Sequence, residues 1–335
     1  MNETPASLGY RMPAEWEKHQ ATWLSWPKDP NTFPGDLLPK VESAYAAMVK
    51  ALEPGEEVRI LVDDERAEER VRELLGRGER VSFHRLKTVD VWVRDYGPTY
   101  VRGEDVALVK WRFNAWGNKY EDLLADDAAG EAMAERSGLK VFRPGVVLEG
   151  GSIDVDGAGY LLTTEQCLLN PNRNPALGKQ ELEALLRGTL GVKEIVWLRK
   201  GIEGDDTDGH VDDIARFVGP RDLALAYEGN ASDPNHLPLG ENLELLERRG
   251  DLGVHRIPMP PRIDFQDGRL PASHLNFYVG NAVVLVPTFG GDSDREALSS
   301  IEGLFGDRGV VGIDCRALVH GLGTLHCVTQ QVPEG

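Results

Sequence analysis

The groups in this sequence that could do covalent chemistry are Cys327, His210 and an unusual density of carboxylates. The cysteine ends the run Gly321-Leu322-Gly323-Thr324-Leu325-His326-Cys327. The histidine sits in Gly204-Asp205-Asp206-Thr207-Asp208-Gly209-His210-Val211-Asp212-Asp213. Three more polar clusters interrupt apolar sequence: Trp92-Val93-Arg94-Asp95-Tyr96-Gly97-Pro98, Glu149-Gly150-Gly151-Ser152 and His274-Leu275-Asn276. A thiolate is the strongest nucleophile a side chain offers, and a nearby cation lowers its pKa. An imidazole can pass protons near neutrality. Carboxylates crowded around a thiol hinder its ionisation unless they exist to hold a positive group. A planar guanidinium meets carboxylates two hydrogen bonds at a time. Its carbon, blunted by resonance, becomes attackable when it stays charged and clamped. Brought together, these groups suggest guanidine hydrolysis more than proteolysis.

Taken singly, each group has a plainer explanation. Cys327 lies beside Leu325 and Val328, an apolar strand context in which most cysteines are inert. Asp95 follows Arg94 and can form a local ion pair. Glu149 before two glycines suits a turn. His210, with five acids in the run 205–213, suits a solvated turn or a ligand cluster equally. Cys167 and Cys315 sit in apolar runs without polar company and are expected to be structural.

The elements that must position these groups repeat. Helical patterning covers roughly 38–53, 63–77, 127–138, 178–190, 241–250 and 295–306, the first with the stripe Val41, Tyr45, Met48, Val49, Leu52. A short β-rich run follows each helix. Before most helices lie two strand-like runs joined by a tight turn, clearest at Asp156-Gly157. The order hairpin, loop, helix, strand starts near 99, 152, 213 and 275, a period of roughly 50–60 residues. A fifth unit is split between the N-terminal runs 22–26, 38–53 and 58–62 and the C-terminal run 324–332. The expectation is an α/β fold of five modules, a propeller with pseudo-fivefold symmetry whose termini pair to close the ring. Closure also hides sheet edges. The pair 63–77 and 80–86 is then an insertion. The alternative is one open mixed sheet. Every polar cluster falls at or before the first hairpin strand of its unit, so in a ring they converge at one end of the axis. One catalytic domain over 1–335 is expected.

Composition narrows the partners. A formal charge of −18 argues against nucleic acid and anionic membranes and tolerates a cationic substrate. Three cysteines cannot build a disulfide framework and fit a reducing cytoplasm. The start MNETPASLGY shows no secretory pattern, and no apolar window is long enough to span a bilayer. Oligomeric state is left open, a homo-oligomer included. No cofactor or metal is expected. Counted as a calcium loop around Gly209, positions one and twelve are Gly204 and Ala215, which are not ligands. Gly321 and Gly323 lack the third glycine of a dinucleotide loop.

Together the motifs resemble the agmatine deiminase and bacterial, Porphyromonas-type, peptidylarginine deiminase family of the guanidine-modifying pentein superfamily. The likeness runs from Met12-Pro13-Ala14-Glu15-Trp16 through the clusters above, Phe113-Asn114-Ala115-Trp116-Gly117 and Asn170-Pro171-Asn172-Arg173-Asn174-Pro175 to His326-Cys327-Val328-Thr329-Gln330-Gln331. The resemblance implies a five-module α/β propeller with an axial site. It implies that Cys327 attacks the guanidinium carbon, that ammonia leaves, and that water releases a ureido product from a thioether intermediate. By the same resemblance His210 serves as acid and then base, and Glu149 orients it. Asp95 and Asp212 hold the guanidinium nitrogens, and Trp92, Asp206 and Asn276 contact the substrate.

The chain departs from the agmatine deiminase pattern at Asp208, Asp213 and Gly321–Thr324. The two acids add negative charge and push further towards a cationic tail. Agmatine is therefore the expected substrate, with peptidylarginine or free arginine as the runner-up. Two readings from other classes are a metal-dependent hydrolase built on Asp206, Asp208, His210 and Asp212, and a propeller that binds without catalysis.

Overall fold

The computed structural model describes residues 3–76, 78–266 and 268–335. The expected helix end at Arg77 and the first two residues of the expected domain lie outside these. The apolar stripe of the first long helix, Leu37–Leu52, is buried as its spacing requires, with Val41, Tyr45, Met48, Val49 and Leu52 all inward. Helix Lys179–Leu190 stops where Gly191 turns left-handed, at φ 68°. Helix Glu65–Leu75 begins where the Asp64 carboxylate accepts the Ala67 amide, and of its residues it buries Val71.

Five sheets share one plan, with a first strand antiparallel to a second and a third parallel to the second. They are Thr99–Arg102, Val106–Val109 and Lys140–Phe142; Asp154–Val155, Tyr160–Thr164 and Glu194–Leu198; Ala215–Gly219, Asp222–Tyr227 and Gly253–Pro258; and Tyr278–Val279, Val283–Thr288 and Gly309–Asp314. The last combines Thr329–Pro333, His19–Ser25 and Glu57–Val62, and Val81–Arg85 adds a fourth strand to it. A helix crosses between second and third strands in each, as parallel pairing demands. The sheets are separate and do not join into one closed sheet. First strands of some neighbours touch, Thr329–Pro333 against Thr99–Arg102 and Asp154–Val155 against Ala215–Gly219. Two features differ from the sequence reading. Two first strands shrink to two residues because the polar residues before them curl into turns. A small hairpin, Asp264–Phe265 with Gly268–Arg269, also appears. No described helix is long and apolar enough to cross a membrane.

Candidate active site

The polar clusters occupy single helical turns that precede first strands: Val93–Tyr96, Gly150–Ser152 and Val211–Asp213. A fourth turn, at 324–328, is closed by the Val328 amide donating to the Thr324 carbonyl. The first turn packs on the second and the second on the third. Gly151 permits this approach, since a Cβ there would lie 2.6 Å from His210 Nδ1, 2.9 Å from Asp212 Oδ2 and 3.0 Å from Asp95 Oδ1.

The Cys327 thiol receives the Asn276 side-chain amide at 3.1 Å and lies 3.7 Å from Asp212 Oδ2. Burial pushes its pKa well above the usual value, and Asp212, Asp213 and Asp95 add to that. Asn276 Oδ1 in turn accepts from Thr324 Oγ1 at 2.8 Å and from the His326 amide at 3.0 Å. Asn276, expected on the substrate, meets the thiol directly and, like His210 and Asp212, is not among the residues that line the cavity.

His210 is buried, and neither ring nitrogen has a hydrogen-bond partner among the described residues. Its Nδ1 is 3.9 Å from Asp95 Oδ2. Burial alone would lower its pKa, but Asp95, Cys167 and Asp212 lift it well above the usual value. Glu149, expected to orient His210, lies within 4.8 Å of it without accepting a hydrogen bond from the ring. Glu149 Oε1 accepts from Arg173 Nε at 2.7 Å, and Oε2 has no hydrogen-bond partner among the described residues. Cys167 has polar company after all. Thr164 caps the turn Glu165–Leu168 and places this thiol within 4.8 Å of ligand atoms of both Glu149 and His210.

Asp212 is anchored from behind. His326 spans two carboxylates, with Nδ1 2.7 Å from Asp212 Oδ2 and Nε2 2.9 Å from Glu15 Oε2. Glu15 is also held by Arg216 at 2.9 Å and Arg94 at 3.2 Å. Burial opposes ionisation of Asp212, yet His326, His210 and Arg216 bring its pKa below the usual carboxylate value. Its Oδ1 has no hydrogen-bond partner among the described residues. Sequence reasoning listed Glu15 and His326 within motifs but gave them no role, because their contacts span most of the chain.

A cavity of about 250 Å³ opens over Cys327. Asp95 lies beside the thiol there, its oxygens accepting the Trp116 indole N–H at 2.9 Å and the Gly151 amide at 2.9 Å. Trp92, Trp116 and Tyr120 form walls, and Asp29, Asp90, Asp122 and Asp206 add acids. The Tyr120 hydroxyl donates to Asp206. None of the described lining residues is lysine or arginine. The Gly321–Gly323 loop lies against Trp92, where Cβ atoms would come 2.9 and 2.5 Å from its ring.

The structure thus brings Cys327, His210, Asp95, Asp212 and Glu149 together, and places Trp92 and Asp206 on the cavity wall. It corrects the weight given to Asp208 and Asp213. Asp208 is neutralised by Arg173 at 2.5 Å and Lys119 at 2.9 Å. Asp213 is buried under Asn276, which donates to it at 3.1 Å. Burial, Asp212 and Asp205 push the Asp213 pKa well up. Neither acid lines the cavity. The Asp206, Asp208, His210 and Asp212 quartet is dispersed in the same way, each acid being held by a different partner. Trp116, Tyr120, Asp29, Asp90 and Asp122 were missed; Trp116 alone had a cue, standing between Asn114 and Gly117.

A buried thiol, imidazole and carboxylate set on adjoining turns of a repeated ββαβ frame defines a class, the cysteine-dependent enzymes of a modular α/β fold. The chain belongs to the Porphyromonas-type peptidyl-arginine deiminase family, whose model matches residues 11–333. It is 37% identical to the agmatine deiminase of Stutzerimonas stutzeri strain A1501, over 99% of this chain and 98% of that one. The agmatine deiminase of Enterococcus faecalis superposes with a TM-score of 0.90 at 32% identity, over 100% of this chain and 98% of that one. The C. jejuni agmatine deiminase with substrate bound gives 0.90 at 28% identity, with 97% of each chain covered.

Proposed function

We propose that this protein is a hydrolase of linear amidines that converts agmatine to N-carbamoylputrescine and ammonia. The observation that carries this reading is the cavity over Cys327, walled by aromatic rings and acids with no lysine or arginine among its described lining residues. Agmatine is a dication, a guanidinium joined to an ammonium by an apolar linker. Its guanidinium fits between Asp95 and Asp212 at the thiol, its linker against Trp92 and Trp116, and its ammonium near Asp206 and Asp90. The five modules act as blades around an axis, and the whole of 1–335 serves as one catalytic domain in the cytoplasm. The joined termini support such a ring.

The chemistry follows from charge. Burial, with the nearby acids adding to it, keeps the Cys327 thiol protonated in the free site. A bound guanidinium offsets the acids' charge and favours the thiolate, the thiol proton passing to solvent as substrate binds. The thiolate attacks the guanidinium carbon, and His210, held as imidazolium, gives its proton to the departing ammonia. The amidino-thioether then takes up water deprotonated by the same imidazole. Collapse releases the ureido product and returns the thiolate. Asp212, fixed by His326, keeps one side of the carbon in place throughout.

Free arginine adds a carboxylate, for which the cavity has no cation. Desolvating it unpaired costs on the order of 3 kcal/mol, or roughly 100-fold in specificity. Side-by-side kcat/KM values are expected to favour agmatine over arginine and over peptides ending in arginine by about that factor. Equal efficiencies would remove agmatine as substrate and leave deimination standing.

The cavity also predicts a pH effect on binding. Burial raises the Asp90 pKa to about 6, although Thr32, the Val91 amide and Trp92 donate to it. Below that pH the carboxylate takes a proton and its attraction for the ammonium is lost. KM for agmatine is expected to rise as pH falls through about 6, with kcat changing less. Asp90→Asn is expected to have a high KM that no longer responds there; an unchanged profile in this variant would place the ammonium elsewhere.

A further inference from the structure

We infer that Glu149, Cys167 and His210 form a binding site for a thiophilic divalent cation of the zinc type, and that filling it switches turnover off. One thiol, one imidazole and one carboxylate are the donor types that such an ion selects. Their ligand atoms all lie within 4.8 Å of one another. Bond lengths to zinc of about 2.0–2.3 Å need them somewhat closer, an inward shift of about 1 Å or less.

A second observation points to a ligand independently. Both His210 ring nitrogens and Glu149 Oε2 are buried without a hydrogen-bond partner among the described residues. Buried polar atoms are ordinarily paired. Arg173 holds Glu149 Oε1, which leaves Oε2 as the free donor atom. Cys167 takes no covalent part in the proposed reaction. On binding, the Cys167 thiol and the His210 imidazolium each give up a proton to solvent, and the sulfur takes the metal as a thiolate beside the neutral imidazole.

The route in is the acidic cavity, whose carboxylates concentrate cations. Its wall residue Asp95 is 3.9 Å from His210. The three ligands lie beyond that wall and are themselves buried, so inhibition should set in slowly. Loss of turnover rests on the role proposed for His210; binding of the ion does not.

Cobalt(II) is the probe, because a cysteine ligand gives it a near-ultraviolet charge-transfer band. The full-length Cys327→Ser variant is expected to show this band at wild-type strength, and Cys167→Ser to lack it. Added zinc is expected to inhibit wild type progressively and reversibly on chelation. Cys167→Ser should keep measurable turnover, lowered by whatever support the thiol gives the His210 imidazolium, and tolerate at least about 10-fold more zinc relative to its own zinc-free rate. Cys167→Ala, with a melting curve, serves if the serine variant does not fold. A band that disappears with Cys327, no band in wild type, or equal zinc sensitivity in the Cys167 variants would overturn the site. A band on Cys167 with turnover intact would keep the site, overturn the switch and remove His210 from the reaction.

Discussion

Cys327→Ser is expected to lower kcat by on the order of 1,000-fold or more while leaving the melting temperature nearly unchanged. The thiol lies at the cavity, held by Asn276 at 3.1 Å, and the substitution removes one polarizable atom from a packed turn. A serine hydroxyl starts from a much higher pKa than a thiol. Burial and the same three acids that push Cys327 up would act on it too. A bound guanidinium therefore cannot bring it to the ionised form near neutrality. Acid-quenched wild type in turnover should carry a substrate-derived amidino mass on the peptide containing Cys327. The same mass on Cys167 or Cys315, or a serine variant of near-normal activity, would reject this nucleophile.

His210→Gln is expected to lose between about 100-fold and 10,000-fold in kcat, with KM changed only a few-fold. Glutamine fills similar space and can hydrogen-bond, but it has no proton to exchange near neutrality. Asp95, Cys167 and Asp212 outweigh burial and favour the charged imidazole before substrate arrives. Its unpartnered nitrogens are free to give that proton to ammonia and then to take one from water. The acid role requires the imidazolium, so rate should fall at a pH above its raised pKa. That limb should vanish in the glutamine variant. A kcat within a few-fold of wild type would assign the proton transfers to another group.

The repeat was the legible part of the fold. Asp156-Gly157 marks its hairpin, and Leu37–Leu52 and Lys179–Leu190 appear within two residues of their expected ranges. Helical and strand periodicities need several residues to register, so the turns Val93–Tyr96, Gly150–Ser152 and Val211–Asp213 left no signal. Those turns carry the chemistry. Residue type pointed to Cys327, His210, Asp95, Asp212 and Glu149, since a thiol, an imidazole and carboxylates stand out wherever they fall. What supports them was hidden. Glu15 meets His326 across nearly the whole chain, and Asn276 reaches the thiol from 51 residues away. Cys167 looked apolar in its run because its polar neighbours, Glu149 and His210, stand far from it in the sequence.

The order of strands in the terminal sheet has a consequence for synthesis. His19–Ser25 lies between Glu57–Val62 and Thr329–Pro333. It leaves the ribosome early, and its partner on one side leaves very late. Through most of translation that strand presents an open row of amides and carbonyls, a template for wrong pairing. Cys327, the proposed nucleophile, sits two residues before the late strand, on the turn that leads into it. The nascent chain therefore guards an unpaired edge and lacks its reactive thiol for the same interval, and both conditions end when one short strand docks.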